Sequence, residues 1–227
     1  MKVLTVGNTK TVKGEKLGYM TFILHFAPAT LAGYQVCPMA SEGCTDACLN
    51  TSGRGRFASI QAARIRKTRW FFEDRVSFMD ALVKDIHAAI RKADRENMIP
   101  VFRLNGTSDI RWETVTVNGF RNIMEMFPTV QFYDYTKLPN RRNLPSNYHL
   151  TFSRSESNEH LISQGMNVAV VFDTLPETFM GRKVIDGTDT DLRFLDPQGV
   201  VVGLVAKGKA KKDNSGFTVL TQLKRAA

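Results

Sequence analysis

Residues 20–56 read MTFILHFAPATLAGYQVCPMASEGCTDACLNTSGRGR. The β-branched and aromatic run at 20–26 predicts a strand that stops before Pro28. A loop carrying Cys37, Cys44 and Cys48 follows directly, and these are the chain's three cysteines. Two helical stretches are expected next, over 58–73 and 75–96. In the second, Phe78, Leu82, Ile86 and Ile90 recur every fourth residue and make one apolar stripe. Beyond it the chain alternates between strands, at 100–104, 130–133, 149–152, 168–172 and 199–205, and shorter helical stretches at 117–126 and 159–164. Short apolar strands joined by helical crossovers imply a parallel sheet. This number of strands points to an α/β fold with a partial or closed TIM-like (β/α) barrel, its cysteine loop after the first core strand. A doubly wound open sheet is the alternative, since periodicity does not distinguish the two. With 227 residues, one α/β domain spanning 1–227 is expected. Residues 1–18 read as an N-terminal arm or hairpin. Residues 206–227 form a basic C-terminal segment in which Lys207, Lys209, Lys211 and Lys212 alternate with small residues.

The cysteine spacing is Cys-x6-Cys-x3-Cys. Three clustered thiols argue for metal or redox chemistry over a disulfide framework. Thiolates are soft ligands that suit iron–sulfur clusters or zinc. Each of the three can take one iron of a [4Fe–4S] cubane and leave the fourth iron to another ligand. Pro38, Gly43, Gly53 and Gly55 supply the tight turns that wrapping a compact core requires. Zinc is the rival metal, with His25 completing a Cys3His site, although the six-residue gap departs from paired knuckles. Buried, inert thiols are the remaining reading.

The CPMASEGC stretch and the CLNTSGRG that follows resemble the cysteine motif of a family of bacteriophage and prophage iron–sulfur proteins, itself distantly similar to the radical S-adenosylmethionine superfamily. The likeness extends to NGTSDIRWE at 105–113 and FYDYTK at 132–137. It implies a [4Fe–4S] cluster on Cys37, Cys44 and Cys48, after the first strand of a partial TIM barrel. S-adenosylmethionine enters as a second cofactor through the same resemblance. Against it stand the spacing, which differs from Cys-x3-Cys-x2-Cys, and the lack of a Gly-Gly-Glu-type segment after the second strand.

In such barrels chemistry sits at the carboxyl ends of the strands. The polar residues there are Asn105, Ser108 and Asp109, then Asp134 and Lys137, then Ser153 and Arg154, then Asp173. Asp109 and Asp134 are the carboxylates to test as a fourth cluster ligand. The plainer reading is that strand ends are polar because loops face water, with either Asp capping a helix or turn.

A formal charge of +9 and a pI near 9.6 favour an anionic partner, nucleic acid or a small anionic ligand. Arg54 and Arg56, close behind Cys48, are the anion-binding candidates. Arg64 and Arg69 with Trp70 are a candidate contact to phosphates and a stacked base; the favoured reading makes Arg64, Arg66, Lys67 and Arg69 the wet face of a helix, with Trp70 in the core. No apolar run reaches the roughly 20 residues of a membrane span, and the start of the chain lacks the apolar stretch of a secretory signal. A cytoplasmic protein is expected, in the host cell if phage-encoded. Three functions compete: an enzyme working through an open fourth iron, a non-catalytic cluster protein that binds nucleic acid, and a zinc-stabilised binding module.

Overall fold

A computed structural model of the chain describes residues 1–6 and 9–221. The end of the basic C-terminal segment, 222–227, lies outside them. In chain order the elements are β1 (Leu4–Val6), α1 (Thr9–Glu15), β2 (Tyr19–Leu24), α2 (Glu42–Asp46), α3 (Ala58–Glu73), α4 (Arg75–Arg95), β3 (Ile99–Arg103), α5 (Ile123–Met126), β4 (Gln131–Thr136), β5 (Tyr148–Ser153), β6 (Val168–Phe172), β7 (Thr178–Phe179), β8 (Arg182–Asp186), β9 (Val201–Val205) and β10 (Thr218–Val219). Short 3-10 turns, among them Leu49–Thr51, Gly53–Arg56 and Gly208–Lys212, fill several connections.

The strands form one sheet whose path runs β1-β2-β3-β4-β5-β6-β9-β8-β7. From β2 to β9 every pairing is parallel and the strands follow chain order, without the reversal of a doubly wound sheet. The hydrogen-bonded path is not closed among the described residues. β1 lies antiparallel at one end, so within the expected arm or hairpin Leu4–Val6 form a strand and Thr9–Glu15 a helix. β10 joins from the far end of the chain. It pairs with Val171 and Phe172 of β6, above the point where Phe152 and Ser153 of β5 pair with Val168 and Ala169. The C-terminal segment thus enters the sheet at its carboxyl edge, between β5 and β6.

Both long helices fall where periodicity places them. Asp74 caps α4, its carboxylate accepting from Ser77 N at 3.2 Å, and Lys92 and Arg95 complement the last turn. Asn97, at φ +51°, ends the helix in the left-handed region. Phe78, Leu82, Ile86, Ala89 and Ala93 bury the α4 stripe against Phe22, Phe102 and Phe132 of the sheet. Trp112 closes this core from the loop after β3. Its ring centroid lies 6.1 Å from that of Phe26 and 5.3 Å from that of Phe71, and it is fully buried. The opposite face carries Val101 and Tyr133, covered by Leu192 and Phe194, and an ion pair of 2.9 Å between Arg103 and Asp191.

The stretch 117–126 corrects the expectation of a helix. Asn118 and Gly119 both take positive φ, +45° and +83°, and Val117 bridges Phe120 in a tight hairpin turn; only Ile123–Met126 is helical. An Asn-Gly pair favours that turn over any helix. Met180 and Gly181 make the equivalent turn between β7 and β8. The stretch 159–164 shortens to a 3-10 turn at Glu159–Leu161.

Trp112→Ala is expected to destabilise the fold by about 3–5 kcal/mol through cavity formation, measured by chemical denaturation. A cost below about 1 kcal/mol would refute this packing account.

Candidate metal centre

The cysteine loop leaves β2 and crosses the carboxyl ends of the parallel strands. Val36 anchors it, fully buried, and its carbonyl accepts from Asp109 N at 2.7 Å. Cys37 comes next. Its Sγ accepts from Ala29 N at 3.4 Å and lies 3.8 Å from Thr107 O. Cys44 sits in the short α2, where Ser41 Oγ caps its backbone N–H at 3.2 Å. The backbone N–H of Asn50 donates to Cys48. All three cysteines are free thiols, each partly buried.

The loop is clamped from the next strands. Glu156, after β5, accepts from Ser41 Oγ at 2.8 Å and from Gly43 N at 2.9 Å. Gly43 is required there: a Cβ would stand 2.0 Å from Ser215 Oγ and 2.9 Å from Glu156 Oε1. Cys44 packs with Ala47, Ala206, Ala210 and Phe217, so the C-terminal segment forms part of its cover.

Burial pushes the Cys37 thiol up to about 12, and negative charge on Cys48, Cys44 and Asp109 adds to the shift. Burial raises Cys48 as well, with Cys44 adding to it, while Arg64 and Lys137 pull it back. The three sulfurs are therefore near enough for their charges to interact. Among the described residues, no three His, Cys, Asp or Glu side chains converge as the ligands of one metal ion.

The strand-end residues divide by location. Asp109 follows β3 and is raised by burial. Its Oδ2 accepts from Lys137 N at 2.7 Å, while buried Oδ1 has no hydrogen-bond partner among the described residues and stands 3.8 Å from Arg141 Nη1. Lys137 reaches Ser153 Oγ at 2.8 Å and lies over the Phe217 ring. Arg154 donates to the carbonyls of Gly216 and Phe217 and pairs with Glu159 at 3.3 Å. Asp134 is fully buried and faces a different neighbourhood. Its Oδ1 accepts from Asn105 N at 2.8 Å, and its Oδ2 from Tyr148 OH at 2.9 Å and from Asn105 Nδ2 at 3.3 Å. Asn105 Oδ1 in turn accepts from Ser108 Oγ, Ile110 N and Trp112 Nε1, which shapes the whole loop after β3. Asp173 is exposed and accepts from Thr174 N and from Thr221 N and Oγ1. Arg54 and Arg56 are exposed. Glu156 and Phe217 were not singled out as site residues by the sequence reading. The contact of Glu156 with the loop spans more than a hundred residues, so no local pattern announces it.

Residues 2–220 match the family described as Gene product 88. The chain belongs to the gene product 88 family. This is a phage-type family, which agrees with that part of the sequence resemblance. The description names no cofactor or reaction, so membership of the gene product 88 family lends the iron–sulfur likeness no support of its own. No curated protein and no solved structure matches the chain. Among the described residues no helix is long and apolar enough to cross a membrane.

Burial pushes Asp134 up to about 7, against the donors that surround it. An unfolded Asp titrates near 3.9, so between roughly pH 4 and 7 the folded chain holds the extra proton and stability falls as pH rises. Asp134→Asn removes that titration. Denaturant curves from pH 4 to 8 should be flatter for the variant, and an unchanged slope would count against the assignment.

Proposed function

We propose that Cys37, Cys44 and Cys48 hold a [4Fe–4S] cluster at the carboxyl ends of a partial TIM-like barrel, with the fourth iron left to a non-cysteine ligand. The observation that carries this reading is the gathering of three partly buried thiols from one loop over the ends of parallel strands. The donor set fits. Thiolates are the ligands such clusters take, and a cubane spreads them over separate irons, so they need not converge on one point. The backbone N–H groups of Ala29 and Asn50 already donate to Cys37 and Cys48, as donors around a cluster do to its ligand sulfurs. Arg64 and Lys137 offset negative charge at Cys48. When bound, the cluster supplies electron transfer or a Lewis-acidic iron.

The chain's own residues then define the mouth. Asp109 is the nearer of the two candidate carboxylates, since its charge acts on Cys37 and its Oδ1 accepts no hydrogen bond among the described residues, having only the ion pair with Arg141; Asp134 spends both oxygens on Asn105 and Tyr148. Lys137 and Ser153 offer polar contacts to whatever meets the open iron. A second reading, a non-catalytic protein bound to nucleic acid, draws on exposed Arg54 and Arg56 together with exposed Lys209 and Lys211. The turn Leu49–Thr51 touches Gly208–Lys212, which brings the two basic stretches into one neighbourhood.

Anaerobically prepared protein should carry about four irons per chain, and Cys37→Ala, Cys44→Ala or Cys48→Ala should each lower that content severely. Glu156→Gln should lower it partially by loosening the clamp on Ser41 and Gly43. Stoichiometric zinc without iron would overturn the cluster. Adding S-adenosylmethionine under reduction and assaying 5′-deoxyadenosine separates a radical enzyme from a structural or redox cluster. For the second reading, single-stranded DNA binding should weaken with salt, and neutralising Arg54 and Arg56 should reduce the log–log slope by roughly 1–2. Absence of binding at low salt removes it.

A further inference from the structure

The face that α3 turns inward is unusual for a core helix, because it buries Arg64, Lys67 and Thr68 beside Phe71. Arg64 is 9% exposed and Lys67 5%. Three residues apart, they share one side of the helix. Thr68 fixes that side in place: its Oγ1 accepts from Ala27 N at 2.9 Å and donates to the Arg64 carbonyl. His25 lies just before Ala27, with Nδ1 3.5 Å from Thr5 Oγ1.

Charge at this place is poorly balanced. Arg64 Nη1 donates to Asn50 Oδ1, a neutral acceptor, and its buried Nε has no partner among the described residues. Lys67 Nζ donates to the Val3 carbonyl at 3.2 Å. Two carboxylates act on the group from nearby, and both are engaged elsewhere. Asp85 Oδ2 accepts from Val3 N and Leu4 N at 2.6 and 3.0 Å, and Asp191 pairs with Arg103. Burial first and the positive charge of Arg64 second drive Lys67 down to about 8 and His25 down to about 3. Asp85 offsets part of the charge on Lys67, but burying two cations with so little acidic partnering costs stability, and two side chains locked on a helix do not escape to water.

We propose that Arg64, Lys67 and His25 form a binding site for a small oxyanion, a carboxylate or phosphate group, beside the cysteine loop. The expected anion site thereby moves from the exposed Arg54 and Arg56 to the buried side of the next helix. Thr5 is exposed and His25 partly so, which gives the ligand an approach between the ends of β1 and β2. The charge of Cys48 also acts on Arg64. An anion held here would sit next to the centre proposed above, but the cations belong to the chain and the site does not depend on a cluster.

The test is calorimetric titration of the full chain with inorganic phosphate and, separately, with acetate, iron being counted in every preparation. One saturable site per chain is expected, and the tighter of the two anions identifies the group. Arg64→Gln and Lys67→Met should each weaken binding at least tenfold, whereas Arg66→Gln, exposed on the same helix, should bind as the parent does. Of the parent and the two buried variants, only the parent should gain Tm with added anion. Should Arg64→Gln fail to fold, Lys67→Met carries the comparison alone. No saturable binding of either anion would overturn the site, as would full binding by the buried variants. Binding that vanishes once iron is loaded would overturn it too, by making the cluster the counter-anion. Full iron content with no anion binding refutes this site and leaves the cluster standing; the converse result does the opposite.

Discussion

The Asp134 carboxylate has no water to fall back on, so the chain around it must supply every hydrogen bond it makes. That requirement joins three consecutive strands. Asn105 at the end of β3 and Tyr148 at the start of β5 both turn their donors towards β4. Asn105 then has its side-chain oxygen free to organise Ser108, Ile110 and Trp112, and Trp112 is carried into the aromatic core under α3 and α4. The two stretches that resemble the phage family, 105–113 and 132–137, meet at this carboxylate. Their second junction is Asp109 with the backbone of Lys137. A loop that would otherwise be free at the top of the sheet is thereby fixed, and it is the loop against which Val36 and Cys37 rest.

Position at the mouth is thus inherited from the core in two steps. The loop after β3 supports the first cysteine from below. Glu156 and the returning C-terminal segment hold the α2 turn from the side, through Ser41, Gly43 and the apolar contact of Cys44 with Phe217. Because β10 occupies the edge of β6 that β5 leaves free, this segment is attached by backbone pairing as well as side-chain contact. Loops secured in this way keep ligands within the narrow geometry a metal centre demands.

Much of this was legible in the residues. The run VAVVF became β6 without adjustment, the heptad-like stripe of α4 packed as read, and the cysteine loop fell after the first parallel strand. Two kinds of signal were not. Short edge elements such as β1, β7 and β10 have two or three residues, too few for any periodicity to register. Asn118-Gly119 was readable as a turn, but the apolar residues on either side suggested a helix, and local turn chemistry prevailed. The burial of Arg64 and Lys67 could not be read from sequence: basic residues at helical spacing normally face water, and only the tertiary position of α3 against the chain after β2 turns that face inward.

The distribution of these buried charges carries its own argument. Beneath α4 the molecule follows the ordinary rule, with Phe78, Leu82 and Ile86 against Phe22 and Phe102, while the opposite face of the sheet buries Asp191 and Arg193. Towards the carboxyl ends the same chain buries Asp109, Asp134, Arg154, Arg64 and Lys67. Apolar residues of similar volume would commonly hold a fold as well or better than buried ions do. A sequence selected for stability alone has no reason to gather so many of its costly groups at one end of one sheet. Departures from local consistency of this kind concentrate at functional sites. Here they coincide with the three cysteines at the carboxyl ends of the strands.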